Sequence, residues 1–381
     1  MKTKKNILIT IDWFLPGTDS GGPVRSCANF IAHLSQDFNF YVITRDTDYC
    51  ASHPYTSIES NAWNTLENGA KVYYCSSDRV ANTHLTKLFR EKTFDTIYIN
   101  GVYSWYFSIL PLLVFKNHPR VIVASRGMLN PQAFSVKPLK KRVYLTLAKT
   151  LGLYNKVHFH ATNTQEKEHV LHLFGKNTSV KVAPNMPRVL KAAFTERTKS
   201  SVPSFINLAR ISPEKGTLKM LEAFLRIKTP VTLDLYGPVY DQSYWDTCLS
   251  VIQKLPSWVK VTYKGIANSQ EVPELLKAYD FFIMLSEGEN FGHAILEAFS
   301  AGVPVIISNK TPWSGLQEKN TGWDIDTNNT NLLDQVLNQA CDMSSKEYTQ
   351  MSKTAYNFAN QFVNDTQLLK SNRSLFDEFA T

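Results

Sequence analysis

The sequence Ser286-Glu-Gly-Glu-Asn-Phe-Gly-His-Ala-Ile-Leu-Glu297-Ala298 directly follows the apolar run Phe281–Leu285. The run predicts a buried strand, and the residues from Phe291 onward predict the start of a helix. A strand, a polar turn and a helix in this order form part of a βαβ unit. The free N–H groups of the turn and of the helix N-terminus can bind a diphosphate, because the helix dipole favours negative charge there.

Three residues of this stretch are candidates for ligand contacts. Gly292 allows the backbone to approach an anion closely. Glu289, in the turn, can accept hydrogen bonds from sugar hydroxyls, and Glu297, eight residues later, can accept them from a ribose diol. An ordinary polar turn followed by a helix with a solvated glutamate fits the spacing equally well, so spacing alone leaves both interpretations open.

The same alternation of short apolar runs and helical patterns occurs along most of the chain, in two series. The first series of predicted strands is Ile7–Ile11, Phe40–Thr44, Lys71–Tyr74, Thr96–Asn100, Arg120–Ala124 and Lys156–Ala161. The second is Ser204–Leu208, Thr229–Tyr236, Val259–Lys264, Phe281–Leu285 and Val303–Ser308. Buried strands that alternate with helices predict an α/β protein with parallel sheets.

A chain of 381 residues is long enough for about two domains. We predict an N-terminal Rossmann-like domain at residues 1–188, a linker at 189–203 where the composition turns polar and basic, and a second Rossmann-like domain at 204–362. A C-terminal helix at 363–381 is expected to return to the first domain. Ligands of open α/β sheets bind beyond the carboxyl ends of the strands, so two facing sheets predict a site in the cleft between the domains.

Composition limits the cellular setting and the partners. The formal net charge is +8, which is compatible with nucleic acid, an anionic membrane surface or phosphorylated substrates. The five cysteines are scattered and form no C-x-x-C pair, which argues against a disulfide framework or a zinc site. No stretch reaches about 18 uninterrupted apolar residues. We therefore expect a cytoplasmic protein. The net charge is also compatible with attachment, as a peripheral protein, to the inner face of the plasma membrane.

Two further loops carry groups suited to a phosphorylated ligand. Arg210 and Lys215, in Asn207-Leu-Ala-Arg-Ile-Ser-Pro-Glu-Lys-Gly216, can stabilise a leaving diphosphate without a metal. Gly21 and Gly22 precede a predicted helix and allow close approach of the backbone to a ligand. A solvated basic loop and a flexible connecting loop are the plainer interpretations. The glycine loop lacks the G-x-G-x-x-G pattern, which argues against an ordinary dinucleotide site.

These three elements, taken in order, resemble glycosyltransferase family 4, whose members have the GT-B fold. The strongest match is the pair Glu289 and Glu297 with Phe291-Gly292 between them. The resemblance extends from about Ile7 to Asp326 and includes Ala298-Phe-Ser-Ala-Gly-Val-Pro304 and Gly322-Trp323. Each motif is of moderate specificity, whereas the ordered combination is specific.

The resemblance implies a retaining, metal-independent transferase that takes a hexose or N-acetylhexosamine from UDP or GDP. Arg210 and Lys215 would contact the diphosphate, Glu289 the sugar ring and Glu297 the ribose. The backbone at Gly265 and Ile266 would contact the base. The other expected donor-binding residues are Gly21, Gly22, Asn290, Phe291 and Gly292. The nucleotide-sugar is a substrate, and no cofactor or metal is expected.

One position departs from the family. Many relatives carry a histidine after a central strand of the N-terminal domain, where this chain has Ser125-Arg-Gly-Met128. We expect Arg126 to take that place, where it can contact the sugar or the acceptor but cannot act as a base at neutral pH. The Ser-Arg-Gly-Met-Leu sequence resembles a subgroup of bacterial surface-polysaccharide enzymes. The expected acceptor is therefore a glycan or a lipid-diphosphate-linked saccharide.

Residues 137–156 form a basic, amphipathic segment. It contains six lysines and arginines and no acidic residue, with leucine and valine at near-helical spacing. A helix that lies on an anionic membrane surface and a helix that packs on the core with a solvated basic face both fit this pattern.

Other functions fit the sequence less well. A non-catalytic protein that binds sugar-nucleotides, or a membrane scaffold on the same fold, is the main alternative to an enzyme. The presence of Arg210, Lys215, Glu289 and Glu297 favours the enzyme. The missing glycine fingerprint argues against a nicotinamide-dependent oxidoreductase. Nucleic acid is not expected as a partner, because the basic residues do not alternate with aromatic residues on a known module.

Overall fold

The computed structural model describes residues 3–17, 19–130, 138–189 and 194–377. The chain forms two compact units. Unit 1 consists of residues 1–189 and 365–381, and unit 2 of residues 190–364. Each unit is an α/β structure around its own sheet, so the predicted class of two parallel-sheet α/β units is confirmed.

Unit 1 is built on an eight-stranded sheet in the order β3-β4-β2-β1-β5-β6-β7-β8. All neighbours pair in parallel except β3 and β4, which are antiparallel. The strands are β1 (Lys5–Thr10), β2 (Phe38–Arg45), β3 (Trp63–Thr65), β4 (Lys71–Cys75), β5 (Thr96–Asn100), β6 (Val121–Ala124), β7 (His158–Ala161) and β8 (Val180–Val182). Its helices are α1 (Gly22–Leu34), α2 (Asn82–Arg90), α3 (Leu110–Val114), α4 (Pro138–Thr150) and α5 (Thr164–Phe174), with a π-helical turn at Trp105–Ile109 before α3.

Unit 2 is built on a six-stranded sheet, parallel throughout, in the order β11-β10-β9-β12-β13-β14. The strands are β9 (Ser204–Leu208), β10 (Val231–Tyr236), β11 (Val259–Tyr263), β12 (Phe281–Met284), β13 (Val305–Ser308) and β14 (Gly322–Ile325). Its helices are α6 (Thr217–Phe224), α7 (Gln242–Ile252), α8 (Val272–Leu276), α9 (His293–Ser300), α10 (Thr330–Asp342) and α11 (Ser345–Val363), with a short 3-10 turn at Pro213–Lys215.

The eleven predicted strands are present with small shifts of their ends, whereas three further strands were not predicted. These three are β3, β8 and β14, each at an edge of its sheet and only three or four residues long. An edge strand packs on fewer neighbours, so its sequence need not form a continuous apolar run. In β3 and β8, for example, no residue is fully buried.

The C-terminal region forms two helices, α11 and α12 (Thr366–Asp377), and α12 lies within the helix predicted at 363–381. Residues 378–381 lie outside the described part. Helix α12 is part of unit 1. Carbonyl groups of its last turn accept hydrogen bonds from three cations of unit 1. These bonds are Lys5 to Phe376 at 3.2 Å, Arg120 to Phe376 at 2.7 Å and Lys181 to Ser374 at 2.9 Å. Cations at a helix C-terminus also interact favourably with the helix dipole.

The polar segment before β9, predicted as part of the linker, is bound to unit 2 where the structure describes it. The Arg197 guanidinium donates to the carbonyls of Lys277 and Tyr279. The buried Asp280 carboxylate accepts hydrogen bonds from the backbone N–H groups of Ser200 and Ser204, at 3.0 and 2.8 Å. Residues 194–203 therefore extend the body of unit 2, and residues 190–193 of the predicted linker lie outside the described part.

None of the helices in the described ranges combines the length and the apolar character that a membrane span requires.

Replacement of Phe376 by alanine should destabilise unit 1. The ring is buried and lies within 6.0 Å, between centroids, of the rings of Phe30, Phe38, Phe40 and Tyr98. Loss of a buried aromatic side chain typically costs about 3–5 kcal/mol. Urea denaturation, with hydrogen exchange of β1 peptides to identify the transition of unit 1, measures this loss.

The matched control is Leu369→Ala on the same helix, where the side chain is 39% exposed. This variant should change the free energy of unfolding by less than about 0.5 kcal/mol. Equal effects of the two variants would contradict the packing of α12 on unit 1.

Candidate functional site

Three loops of unit 2 meet at one edge of its sheet. Strands β9, β12 and β13 are adjacent and parallel, so the loops that follow them leave from the same edge. The loop after β9 carries Arg210 and Lys215, the loop after β12 carries Glu289, and the loop after β13 carries Lys310. Residues that are between 21 and 100 positions apart in the sequence thereby come together where open α/β sheets bind ligands.

An ion pair between Lys215 and Glu289 lies at this edge. The Lys215 ammonium donates to Oε1 of Glu289, and the Ser286 hydroxyl lies 2.9 Å from the same oxygen. The two side chains are 20% and 12% exposed, so the pair is largely withdrawn from water but still accessible. The backbone N–H of Glu289 donates to the Lys310 carbonyl over 3.3 Å. Two of the predicted catalytic residues are therefore in direct contact.

The loop after β9 is held against the end of β12 by a close backbone approach. Gly216 has φ of +69°, in the left-handed region, and a Cβ at this position would lie 2.1 Å from the Leu285 carbonyl oxygen. Only glycine fits there without displacement of the backbone. The Glu287 N–H donates to the Glu214 carbonyl over 2.8 Å, which joins the two loops directly. The position of Lys215 is thus determined by backbone contacts on both sides.

A second cluster of charges supports the loop after β12. The Glu287 carboxylate pairs with Lys310 and with Lys219, the latter at 3.0 Å. Hydrogen bonds from these ammonium groups, from Lys310 first, lower the pKa of Glu287 below its ordinary value. The sequence prediction missed Lys219 and Lys310. The signal for Lys310 was present, because it follows the predicted strand Val303–Ser308 at the same edge as Glu289.

Helix α9 begins directly after Gly292 and has no side chain that caps its N-terminus. Gly292 is in the left-handed conformation, with φ of +77°. Phe291 is buried against Trp313 and Phe362, and the Trp313 indole N–H donates to the Phe291 carbonyl over 2.6 Å. Because these contacts orient the loop, the N-terminus of α9, where the helix dipole favours an anion, is held at this edge of the sheet.

The other predicted residues of unit 2 lie on the same or neighbouring elements. Asn290 precedes Phe291 in the loop, and Glu297 lies within α9, partly buried. Arg210 is exposed on the loop after β9. Gly265 and Ile266 follow β11, and the Gly265 carbonyl accepts a 2.8 Å hydrogen bond from the N–H of Gly237. Ile266 is exposed.

In unit 1, Gly21 and Gly22 lie at the start of α1, after β1. Gly21 is the N-cap residue, with φ of +80°. No described atom lies within 4 Å of the place where a Cβ would be at either glycine, so no internal packing of the described residues requires glycine there. Open space at a helix N-terminus is compatible with the predicted close approach of a ligand.

Arg126 is buried rather than directed into open space. It has φ of +51° and is 9% exposed. Its guanidinium donates to the side-chain oxygens of Asn100, Asn185 and Tyr98, at 2.8, 2.5 and 2.8 Å. In this arrangement the side chain joins the carboxyl ends of neighbouring strands. The contact of Arg126 with a sugar or acceptor stays a prediction.

The turn that contains Arg126 is held by a buried carboxylate that the sequence prediction missed. One oxygen of Glu166 accepts from the Ser125 hydroxyl at 2.6 Å and from the Gly127 N–H at 2.7 Å. The other accepts from the N–H and the hydroxyl of Thr162, both at 2.7 Å. Burial raises the pKa of Glu166, but these hydrogen bonds outweigh burial, so the pKa is below its ordinary value.

His160 belongs to the same buried network. Its Nε2 donates to the Ala183 carbonyl over 2.7 Å, and its Nδ1 accepts from the Tyr98 hydroxyl over 2.7 Å, which defines a neutral ring. Burial, and then the charge of Arg126, lower its pKa to about 4. His160 is therefore a core residue.

Comparison with known proteins indicates the class of protein to which this site is similar. Residues 191–358 match the family model described as "Glycosyl transferases group 1". This segment, most of unit 2, is similar to that family, and the resemblance to glycosyltransferase family 4 is confirmed.

Named relatives agree with this family. The chain is 30% identical over 110 residues to the O-antigen chain mannosyltransferase B of Escherichia coli, which covers 27% of this chain and 28% of the relative. It is 25% identical over 229 residues to the GDP-mannose:cellobiosyl-diphosphopolyprenol alpha-mannosyltransferase of Xanthomonas campestris, covering 58% and 57%. The chain thus spans between about a quarter and three fifths of the relatives it matches.

The fold also matches a solved structure over nearly its whole length. The Anabaena protein Alr3699/HepE, in a crystal structure with UDP and glucose, has a TM-score of 0.70 and 18% identity, with 98% of each chain covered. Structural neighbours of this kind are GT-B proteins, so the predicted fold type is confirmed.

The stability of unit 1 should decrease as the pH falls from about 6.5 to about 4, because of His160. In this range the unfolded chain binds a proton at His160, whose ordinary pKa is 6.5, whereas the folded chain does not until about pH 4. His160→Gln should therefore reduce the pH dependence of the urea midpoint over this range.

The control His53→Gln, at an exposed position, should keep the slope of the wild type. Burial also lowers the pKa values of His33, His84 and His158, so a shallower slope is expected rather than a flat one. An unchanged slope in His160→Gln would contradict a neutral, buried His160.

Proposed function

We propose that the protein is a retaining, metal-independent glycosyltransferase that moves a hexose or N-acetylhexosamine from a UDP- or GDP-sugar. The observation that carries the proposal is the Lys215–Glu289 pair at the carboxyl edge of the unit 2 sheet, beside the uncapped N-terminus of α9. Cationic and anionic side chains beside the positive end of the α9 dipole match the three parts of a nucleotide-sugar: a diphosphate, a polyhydroxy ring and a ribose.

The chemistry assigned to these residues follows from charge. When the glycosidic bond to the donor phosphate breaks, negative charge develops on the leaving diphosphate. Lys215 and Arg210 stabilise that charge, and the first N–H groups of α9, at Gly292, add backbone donors. Glu289 accepts hydrogen bonds from sugar hydroxyls, and Glu297 accepts them from the ribose. Before the donor binds, the ion pair holds Lys215 and Glu289 in place. A phosphate that binds Lys215 then competes with Glu289 for the ammonium.

The donor base and the remaining contacts are proposals of the same kind. The exposed Ile266 and the backbone of Gly265, after β11, contact the base. Asn290 and Phe291 position the loop at the sugar. In unit 1, Gly21 and Gly22 provide backbone without side chains for a close ligand contact.

Retention is proposed from the resemblance to family 4. In the front-face mechanism usually proposed for that family, the leaving phosphate assists the attacking hydroxyl, so that no protein base is needed. The buried hydrogen bonds of Arg126 agree with a site in which this residue supplies no base. The anomeric configuration of the product, read by NMR, tests this part: the configuration of the donor should be kept.

The acceptor is proposed to be a glycan or a lipid-diphosphate-linked saccharide in surface polysaccharide synthesis. One relative is named for O-antigen chain synthesis, and another for a diphosphopolyprenol-linked acceptor. A lipid-linked acceptor would place the protein in the cytoplasm and at the inner face of the plasma membrane as a peripheral protein.

Binding of nucleotides without added metal tests the proposal. In a calorimetric and thermal-shift panel of UDP, GDP, ADP, UDP-sugars, GDP-mannose and NAD, one nucleoside diphosphate and its sugars should bind, because the site recognises a diphosphate and a base together. Chelation by EDTA should leave that binding unchanged. Binding of NAD alone would contradict the proposal. Binding of a sugar-nucleotide without transfer to any acceptor would favour a non-catalytic binding protein.

Lys215→Ala should lower turnover by about 100- to 1,000-fold, because stabilisation of charge in the transition state is lost. The loss should fall on kcat rather than on the donor Kd alone, since the charge on the diphosphate grows as the bond breaks. Release of the nucleoside diphosphate, followed in a coupled assay, measures this effect. The control Lys254→Ala removes an exposed lysine of unit 2 and should keep wild-type turnover. Wild-type turnover in Lys215→Ala would remove Lys215 from the site.

A further inference from the structure

Helix α4 of unit 1 has two apolar faces, of which only one is used by the fold. The inner face packs into the core of unit 1 through Leu145 and Ala148, with Tyr144 partly buried beside them. The Tyr144 hydroxyl lies 2.6 Å from that of Tyr154, which fixes the helix on the unit. The amphipathic pattern of residues 137–156 is therefore not explained by core packing alone; Lys137 lies outside the described residues.

The outer face of α4 exposes a stripe of four large apolar side chains, spaced four residues apart along the helix and into the turn after it. Their exposed fractions are 75% for Leu139, 51% for Val143, 55% for Leu147 and 81% for Leu151. Residues at this spacing lie on one side of a helix. Single exposed apolar residues are ordinary, whereas a continuous apolar stripe indicates a contact surface.

Cations accompany this stripe. Lys140 lies beside it by helical position, and Arg142 lies next to Leu139 on the other side; both are exposed. Lys149 lies farther round the helix, where its ammonium is 5.7 Å from the centroid of the Phe174 ring. Residues 138–156 contain no aspartate or glutamate. An apolar stripe bordered only by positive charge is complementary to an anionic lipid leaflet, whose acyl chains are apolar and whose headgroups are negatively charged.

We propose that the outer face of α4 docks on an anionic membrane, with Leu139, Val143, Leu147 and Leu151 inserted between headgroups and with Lys140 and Arg142 at lipid phosphates. The stripe and the cations act together, because neither a small apolar area nor a few charges alone gives firm attachment. The inference rests on the proposed function in one respect: the membrane is taken as the surface where the enzyme binds a lipid-linked acceptor. Attachment itself does not require that function.

A second copy of the chain is a poorer occupant of the same face. An isologous contact would bring Lys140 and Arg142 of one copy close to the same two residues of the other. With no acidic residue in the segment, these like charges would repel.

Vesicle binding tests the proposal with the full chain and without turnover. The wild type should co-sediment with vesicles of phosphatidylcholine and 30% phosphatidylglycerol at about 0.1 M salt, and bind pure phosphatidylcholine much more weakly. Lys140→Gln and Arg142→Gln together should lower the partition coefficient about 25-fold, since each cation near the surface contributes about fivefold. Leu139→Gln, Val143→Gln and Leu147→Gln together should lower it by about 10-fold or more.

The matched control is Lys87→Gln and Arg90→Gln, which removes the same charge from exposed positions elsewhere on unit 1. It should bind vesicles as the wild type does. Circular dichroism and thermal melting confirm that all variants are folded, since every changed side chain is exposed. Equal loss in the control, or vesicle binding unaffected by either α4 variant, would overturn the proposal. Concentration-dependent dimers that the leucine variant abolishes, without vesicle binding, would also overturn it. The nucleotide panel is read on the soluble protein, so the two proposals can fail separately.

Discussion

The contact between Lys215 and Glu289 is the constraint from which the rest of the candidate site follows. A pair that is this far withdrawn from water has lost much of its hydration, and such pairs contribute little net stability. Yet the surrounding backbone is organised to form it. Gly216 adopts a left-handed conformation against Leu285, and the loops after β9 and β12 are joined by hydrogen bonds. The fold thus keeps a cation and an anion together at a place where they do more for a ligand than for stability.

The two units use the same edge of a parallel sheet in different ways. In unit 1 the polar groups at the carboxyl ends are buried, and they satisfy one another: Glu166 accepts four hydrogen bonds and Arg126 donates three. In unit 2 the cations stay partly exposed, and the first N–H groups of α9 have no side-chain cap. Saturated groups make a rigid frame, whereas accessible ones can bind a ligand. This contrast is why we assign donor chemistry to unit 2.

Most of the fold could be predicted from the sequence, because buried parallel strands are continuous apolar runs that stand out between helical patterns. Strands β3, β8 and β14 could not, since edge strands need no such run. For the site, Glu289 and Lys215 were recognisable from their loops, but their contact depends on β9 and β12 being neighbours, which local patterns do not show. Glu166 was missed because a single glutamate on a helix looks like a solvated residue. Glu166 is buried because the Ser125–Gly127 turn packs against it, and local sequence patterns do not show that contact. For the same reason the sequence suggested a ligand contact for Arg126, whose partners lie on β5 and in the loop after β8.

A crystal structure with the nucleotide-sugar that binds tests the central claim most directly. The account predicts the diphosphate within hydrogen-bonding distance of Lys215 and Arg210 and at the N-terminus of α9. It predicts the sugar at Glu289 and the ribose at Glu297. A nucleotide bound elsewhere, with the Lys215–Glu289 pair unchanged and the edge of the unit 2 sheet free of ligand, would contradict it.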